Sequence, residues 1–182
     1  AVQVALALVL LIGSGLMIRT FYSMRGVHPG FSRPEALQTL RISIPSTANY
    51  KDAEMLVKQH NLVDRLASIP GVSVVGLTTA LPMSGSASQA PIYASDHSYA
   101  ANQIPTLRRF VTAAPGTFQA LSVPLVAGRE YTWTDIHEKR KVVLISENFA
   151  REYWGSAQAA IGKQIRENMN DPWSEVIGVA GD

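Results

Sequence analysis

Hydrophobic positions follow three different patterns along this chain. The first is continuous. Residues 1–18 carry no charge, Gln3 is their one strongly polar side chain, and ten of the eighteen are Val, Leu or Ile. A bilayer core about 30 Å thick takes roughly 20 helical residues to cross. Each Val, Leu or Ile favours insertion by about 0.3–0.6 kcal/mol at mid-membrane. Arg19 closes the run and can carry its guanidinium back to the interface, beside Phe21 and Tyr22 as aromatic anchors. The pattern predicts a transmembrane helix over residues 1–22. A secretory signal calls for a basic start and a small-x-small cleavage site; Ala1 and Arg19-Thr20-Phe21-Tyr22 supply neither. A core helix of a soluble protein calls for a polar face, and the run has none. Gly13-Ser14-Gly15 suits close packing against other spans.

The second pattern has period two. Leu40, Ile42 and Ile44 alternate with Thr39, Arg41 and Ser43, which predicts a half-buried strand over 37–44 ending at Pro45. Residues 23–36 form the membrane-proximal linker, with a turn at His28-Pro29-Gly30-Phe31 and hinge candidates Gly26, Pro29 and Gly30. The third pattern is helical: Met55, Leu56, Leu62, Val63, Leu66 and Ile69 recur near three- and four-residue spacings over 51–69, with Lys58, Asp64 and Arg65 on the wet side. Pro70-Gly71 ends that helix, and the apolar run 72–81 reads as a second strand. Strand, helix and strand make a βαβ-like unit.

Residues 82–101, dense in Ser, Ala and Gly, read as a loop. Beyond it the spacing predicts a strand over 107–113, a short helix over 115–121, and 123–126 leading into Gly128-Arg129. A buried strand over 142–145 follows, then a helix over 147–154 capped by Ser146 and stopped by Gly155. Two more strands are expected at 162–166 and 176–180. Strand, helix and strand thus recur in 37–81 and 107–180. The fold class is α+β, with helices on one side of mixed or antiparallel sheets, and residues 37–182 form one domain or two small lobes. A first residue other than Met and the stop at Gly181-Asp182 read as a piece of a longer protein, its domain truncated at the C-terminal end.

Net charge is +2, and the basic residues are scattered without interleaved aromatics, which gives no footprint for nucleic acid. With no cysteine there are no disulfides and no thiolate metal sites. Arg19, Arg25 and Arg33 follow the span, but the charge comparison that orients a helix needs both flanks. Ser95-Asp96-His97 has the letters of a hydrolase triad, yet adjacent side chains point apart, whereas a triad converges from separated positions. No G-x-S-x-G elbow is present. His137-Glu138 begins like a zinc-protease helix, but Lys141 stands where the second ligand belongs, so Glu138-Lys139-Arg140-Lys141 reads as a wet turn. Gly178-Val179-Ala180-Gly181 lacks dinucleotide-binding spacing, and there is no Walker A sequence. His28, His60, His97 and His137 are spread evenly, though folding can still join two of them. Trp133, Trp154 and Trp173 read as core or lobe-interface anchors. Gly128 and Gly162 are candidate positions of positive φ or close backbone approach. No catalytic, cofactor-binding or metal residue is assigned.

The punctuation of the second half carries a family resemblance. Pro115, Phe118, Leu121, Val123-Pro124-Leu125-Val126 and Gly128-Arg129 follow the pattern P-x-Y/F-F-x-x-L-G-I-P-L-L-x-G-R. Val142-Val143-Leu144-Ile145-Ser146-Glu147, Ala150-Arg151-Glu152-Tyr153-Trp154, Ile161-Gly162-Lys163-Gln164-Ile165 and Val176-Ile177-Gly178-Val179-Ala180-Gly181-Asp182 follow in order. Together they resemble the MacB-like periplasmic core domain of MacB/FtsX-type ABC transporter permeases, most of all the duplicated permeases common in Acidobacteria. The opening apolar run with Arg19-Thr20-Phe21 resembles the span before this domain. Gly155 in place of a Pro, and Ala159-Ala160 in place of an acidic residue and Pro, depart from the pattern.

The resemblance implies an N-terminal transmembrane helix, a porter-like βαβ lobe and a second, β-rich lobe from the central part of the chain. It implies a non-catalytic permease subunit in the bacterial inner membrane with its main domain periplasmic, serving export, efflux or mechanotransmission. No cofactor is implied in this chain, since ATP belongs to a cytoplasmic partner ATPase. The other implied partners are membrane lipid, further permease helices or a second permease copy, and a periplasmic adaptor. A single-span sensor or adhesion module and a membrane-anchored hydrolase are the alternative readings.

Overall fold

The computed structural model describes residues 2–25, 36–43, 52–82, 84–85, 87–100 and 103–181. Helix α1 (Val2–Arg25) has 24 residues, about 36 Å at 1.5 Å per residue. Val2–Met24 is long and apolar enough to cross a membrane, and none of it is buried against the rest of the chain. Ser14 satisfies its hydroxyl inside the helix, donating to Leu11 O at 2.9 Å. The helix runs three residues beyond the span expected at 1–22. The turn at residues 28–31 and the hinge candidates Gly26, Pro29 and Gly30 lie outside the described residues.

Residues 37–43 form no strand. Leu40 is 75% and Ile42 47% exposed, because no strand lies beside them among the described residues; alternation without a partner leaves the backbone to water. Ile44 is outside the described set. Helix α2 (Asp52–Ala67) matches the expected period: Val63 is buried, Met55, Leu56, Leu62 and Leu66 are half-buried, and Lys58, Asp64 and Arg65 face solvent. Ser68 ends it by donating to Arg65 O at 2.7 Å, and Gly71 turns away with φ 92°.

The strand expected over 72–81 is reduced to one bridge, Thr78 with Ala113. The backbone here is satisfied by a side chain and by isolated backbone bonds to residues 112–114 instead of a continuous strand ladder. Leu77 N donates to Thr117 Oγ1 at 3.1 Å, and Ala114 N donates to Leu77 O at 2.8 Å. A Cβ on Gly76 would stand 2.5 Å from Thr117 Cα, so only glycine admits this approach.

The expected loop at 82–101 contains β1 (Ser88–Pro91) and β2 (Tyr93–Ala94). β1 pairs antiparallel with β3 (Leu107–Phe110), from Ser88↔Phe110 to Pro91↔Leu107. The small polar composition of β1 hides a strand whose order comes from its partner. Helix α3 (Thr117–Ala120) is shorter than the expected 115–121, because Gly116 at its N-cap takes φ 84°. Next come β4 (Leu125–Gly128), α4 (Trp133–His137), β5 (Val142–Ser146), α5 (Glu147–Trp154), α6 (Ala157–Ala160), β6 (Gln164–Arg166) and β7 (Ser174–Ala180). The helices α4 and α6 were not expected.

β7 organises the main sheet. β4 and β6 pair with it antiparallel, β5 pairs with it parallel, and β2 joins the outer edge of β6. The parallel pair requires a crossover, which α5 and α6 supply. Ser146 caps α5 by accepting from Phe149 N at 3.3 Å, and Gly155 ends it at φ 78°. The inner face of α5 buries Phe149 and Ala150 against Ile145, Ile165, Val176 and Val179, with Ala160 closing from α6 and Ile92 and Ala94 from the β2 side. Among the described residues the helix of the first strand–helix–strand unit is present without flanking strands, and the second unit has its strands and helix. The fold is α+β with an N-terminal apolar helix.

Candidate functional site

Three polar clusters stand out. In the first, Asp135 is 1% exposed on α4. Arg129, just after β4, holds it bidentately: Nη1 to Oδ2 at 2.6 Å and Nη2 to Oδ1 at 3.0 Å. Thr132 donates from N at 2.9 Å and from Oγ1 at 2.7 Å, and Asp135 N donates back to Thr132 Oγ1 at 3.2 Å, a reciprocal capping box. Arg140 adds a longer contact at 3.3 Å. Hydrogen bonding from Arg129, then from Thr132, holds the carboxyl well below the usual carboxylate range against the opposing effect of burial. A carboxylate held ionised at neutral pH and spent on internal hydrogen bonds is a structural brace and not a proton donor there. Arg140 also pairs with Glu138 at 2.7 Å, so part of the expected wet turn is tied into this clamp. The signal for it was present in the sequence as Thr132-x-x-Asp135, the spacing of a helix cap.

The second cluster contains Ser95-Asp96-His97. The Asp96 carboxylate accepts from Lys163 Nζ at 2.7 Å and Trp154 Nε1 at 3.0 Å, and lies 2.9 Å from His97 Nδ1. Hydrogen bonding from Lys163 is the largest influence holding this carboxyl below its ordinary range. Ser95 N donates to Gln164 O at 2.9 Å, and no hydrogen bond joins Ser95 to His97 among the described residues. The three letters therefore serve as a joint between the β2 turn, the end of α5 and the start of β6. Trp154 sits in this joint, and Trp173 lies under the Arg166 guanidinium at 4.2 Å; both act as anchors.

The third cluster brings together two of the four histidines. His60 Nδ1 on α2 lies 3.1 Å from His137 Nε2 on α4, and the His60 ring stacks on Trp133 at 4.0 Å. His97 sits apart, tilted against Tyr153 at 5.1 Å, and His28 is outside the described residues. Among the described residues no group of three His, Cys, Asp or Glu side chains is arranged to hold a metal ion.

The glycines of the motif are structural. Gly128 has φ 74°, and a Cβ there would meet Ile177 O at 2.1 Å; Gly178 is as tightly opposed by Arg129 O at 2.3 Å. Gly162 has φ 80° with open space around it. Gly178-Val179-Ala180 lies within β7, not in a phosphate-binding loop.

No curated protein matches the chain. Among solved structures, the periplasmic region of MacB from Actinobacillus actinomycetemcomitans is 17% identical over 68% of this chain and 50% of that one, with a TM-score of 0.46. The extracellular domain of the noncanonic ABC-type transporter YknZ from Gram-positive bacteria is 18% identical over 66% and 55%, with a TM-score of 0.45. The chain thus spans about half the length of these structures. The profile of the MacB-like periplasmic core domain matches residues 4–182, from the apolar helix through β7, and the chain belongs to that family.

Proposed function

We propose that this chain is the extracytoplasmic head and preceding span of an ABC transporter permease subunit in the bacterial inner membrane. It performs no chemistry of its own and passes motion of its membrane helix to the head, in export, efflux or mechanical signalling. Residues 1–22 span the membrane, 23–36 link, and 37–182 form the core domain. ATP is bound and hydrolysed on a cytoplasmic partner ATPase, and further permease helices or a second permease copy complete the membrane part. Lipid contacts the span, and a periplasmic adaptor contacts the head.

The observation that carries this reading is the family match running unbroken from the apolar helix into the head. The polar clusters add support, because the two carboxylates at their centres are consumed in internal bonds. The chain contains no cysteine, so with any cysteine outside it replaced, spin labels are introduced at Ser23→Cys on α1 and Glu167→Cys on the head. In the full-length permease reconstituted with its ATPase, the distance between the labels should differ between the ATP-bound and nucleotide-free states. An unchanged distance would overturn transmission. ATP hydrolysis by the permease without its ATPase would overturn the non-catalytic assignment.

A further inference from the structure

The His60–His137 contact joins side chains 77 positions apart in sequence. We propose that the two imidazoles form a site for a borderline divalent transition ion such as zinc, with water completing the coordination sphere, so that the ion straps α2 to α4. Two nitrogens bound tetrahedrally to one zinc ion at 2.0–2.1 Å stand about 3.3 Å apart. His60 Nδ1 and His137 Nε2 stand at 3.1 Å, close to that spacing, and the rings turn so that both lone pairs face the shared ion.

The surroundings prepare the pair. The His60 ring lies on Trp133 at a centroid distance of 4.0 Å and an angle of 15°, which fixes its plane. Asp64, one turn along α2, faces the opposite nitrogen, with Oδ2 3.8 Å from Nε2. A negative charge on that side favours the proton on Nε2 through space, leaving the Nδ1 lone pair on the side of His137, though at 3.8 Å it makes no hydrogen bond. Without metal, His137 Nε2–H donates to that lone pair. With metal, each ring presents a lone pair to the ion and carries its one proton on the other nitrogen, Nε2 of His60 and Nδ1 of His137. The His60 side chain is 31% exposed, so an ion enters directly from solvent. Two imidazoles and water suit zinc, copper or nickel and not calcium or magnesium, which take oxygen ligands. This inference rests on side-chain geometry and not on the proposed transport role.

The test uses the full chain in detergent, free of any histidine tag and stripped of metal. Titration with zinc chloride should give saturable one-to-one binding by calorimetry and a rise in Tm, while calcium and magnesium give neither. His60→Gln and His137→Gln should each weaken zinc binding at least tenfold, and His97→Gln should leave it unchanged. Should either glutamine variant fail to fold, paramagnetic resonance of the copper-loaded wild type decides, with nitrogen couplings from two imidazoles expected. Absence of one-to-one binding, equal binding by the variants, or fewer than two nitrogen ligands would each overturn the site.

Discussion

The Arg129 guanidinium meets the buried Asp135 carboxylate edge to edge, with two hydrogen bonds of 2.6 and 3.0 Å. Arg129 is about half exposed and Asp135 almost wholly buried, so the pair reaches from solvent into the body. It pins the end of β4 to the start of α4. Asp135→Asn keeps the shape but removes the charge on which Arg129, Arg140 and Thr132 converge. Removing one partner of a buried pair leaves the others uncompensated, and a loss of about 2–4 kcal/mol is expected, measured by urea unfolding of the chain in detergent. Arg129→Lys should be destabilising as well, because an ammonium cannot reproduce the fork. A loss below about 0.5 kcal/mol for both variants, the range of an ordinary surface site, would show that the clamp is idle.

The same carboxylate makes a pH prediction with a definite sign. Its folded-state pKa is depressed, so its contribution is fully present above the unfolded value of about 3.9. The contribution fades as pH falls below that value toward the folded one, because the unfolded chain then takes up the proton first. Between about pH 5 and pH 2 the stability gap between wild type and Asp135→Asn should narrow. A gap of constant size across that window would show that the charge on Asp135 is not what stabilises the fold.

Gly128 and Gly162 share a positive φ but not their surroundings. Gly128→Ala places a Cβ against Ile177 O at 2.1 Å as well as straining the backbone, whereas Gly162→Ala meets nothing within 4 Å. The first should cost several kcal/mol and disturb the β4–β7 pairing. The second should cost only the strain of an L-residue at that angle, about 1 kcal/mol. Thermal melts of the two variants test the difference, and equal losses would mean that close approach plays no part.

Legibility in the sequence divided along a physical line. Helix α5 was readable because local chemistry agrees with burial: a Ser146 cap, Phe149 and Ala150 on one face, and Gly155 as a stop. β7 was readable as an apolar run because Val176 to Ala180 are buried, and β5 because Ile145 is buried and Val142, Val143 and Leu144 are half-buried. β1 was not, since Ser88-Gln89-Ala90-Pro91 takes its order from pairing with Leu107–Phe110, a non-local contact. The run 72–81 failed in the opposite direction, for its strand-like composition is met by Thr117 and a close Gly76 contact. The His60–His137 pair could not be read at all, because nothing local relates positions so far apart. Asp135 was readable in principle from the capping-box spacing, though its burial depends on Arg129 arriving from β4.

Asp96 gives a separable prediction. Its side chain is about one-third exposed, so the Lys163 pair contributes modestly. Its larger role is to hold the indole of Trp154 through a 3.0 Å hydrogen bond. Asp96→Ala should therefore change Trp154 fluorescence and lower stability by about 1 kcal/mol. Trp133 and Trp173 lie in other contacts, so the change should be absent in a Trp154→Phe background. Fluorescence unaltered by Asp96→Ala would show that the carboxylate does not hold the indole.

The apolar helix makes the last prediction. Leu8 is one of the exposed apolar side chains of α1, a helix none of whose span is buried against the head. Water would penalise such a surface along its whole length, while lipid matches it. Arginine at the centre of a span raises the insertion free energy by about 2.5–3.5 kcal/mol. Leu8 lies five residues from the centre of Val2–Met24, so it incurs part of that, and losing the leucine adds a few tenths. Leu8→Arg should therefore lower the membrane-integrated fraction, read by resistance to alkaline carbonate extraction. Gln3→Arg, at the end where the side chain can reach headgroups, should have little effect. Thermal unfolding of the head should be the same in both variants, since α1 contributes nothing to its core. Equal extraction of Leu8→Arg and wild type would show that α1 is not held by lipid, and a lowered melting point would show that it packs against the head.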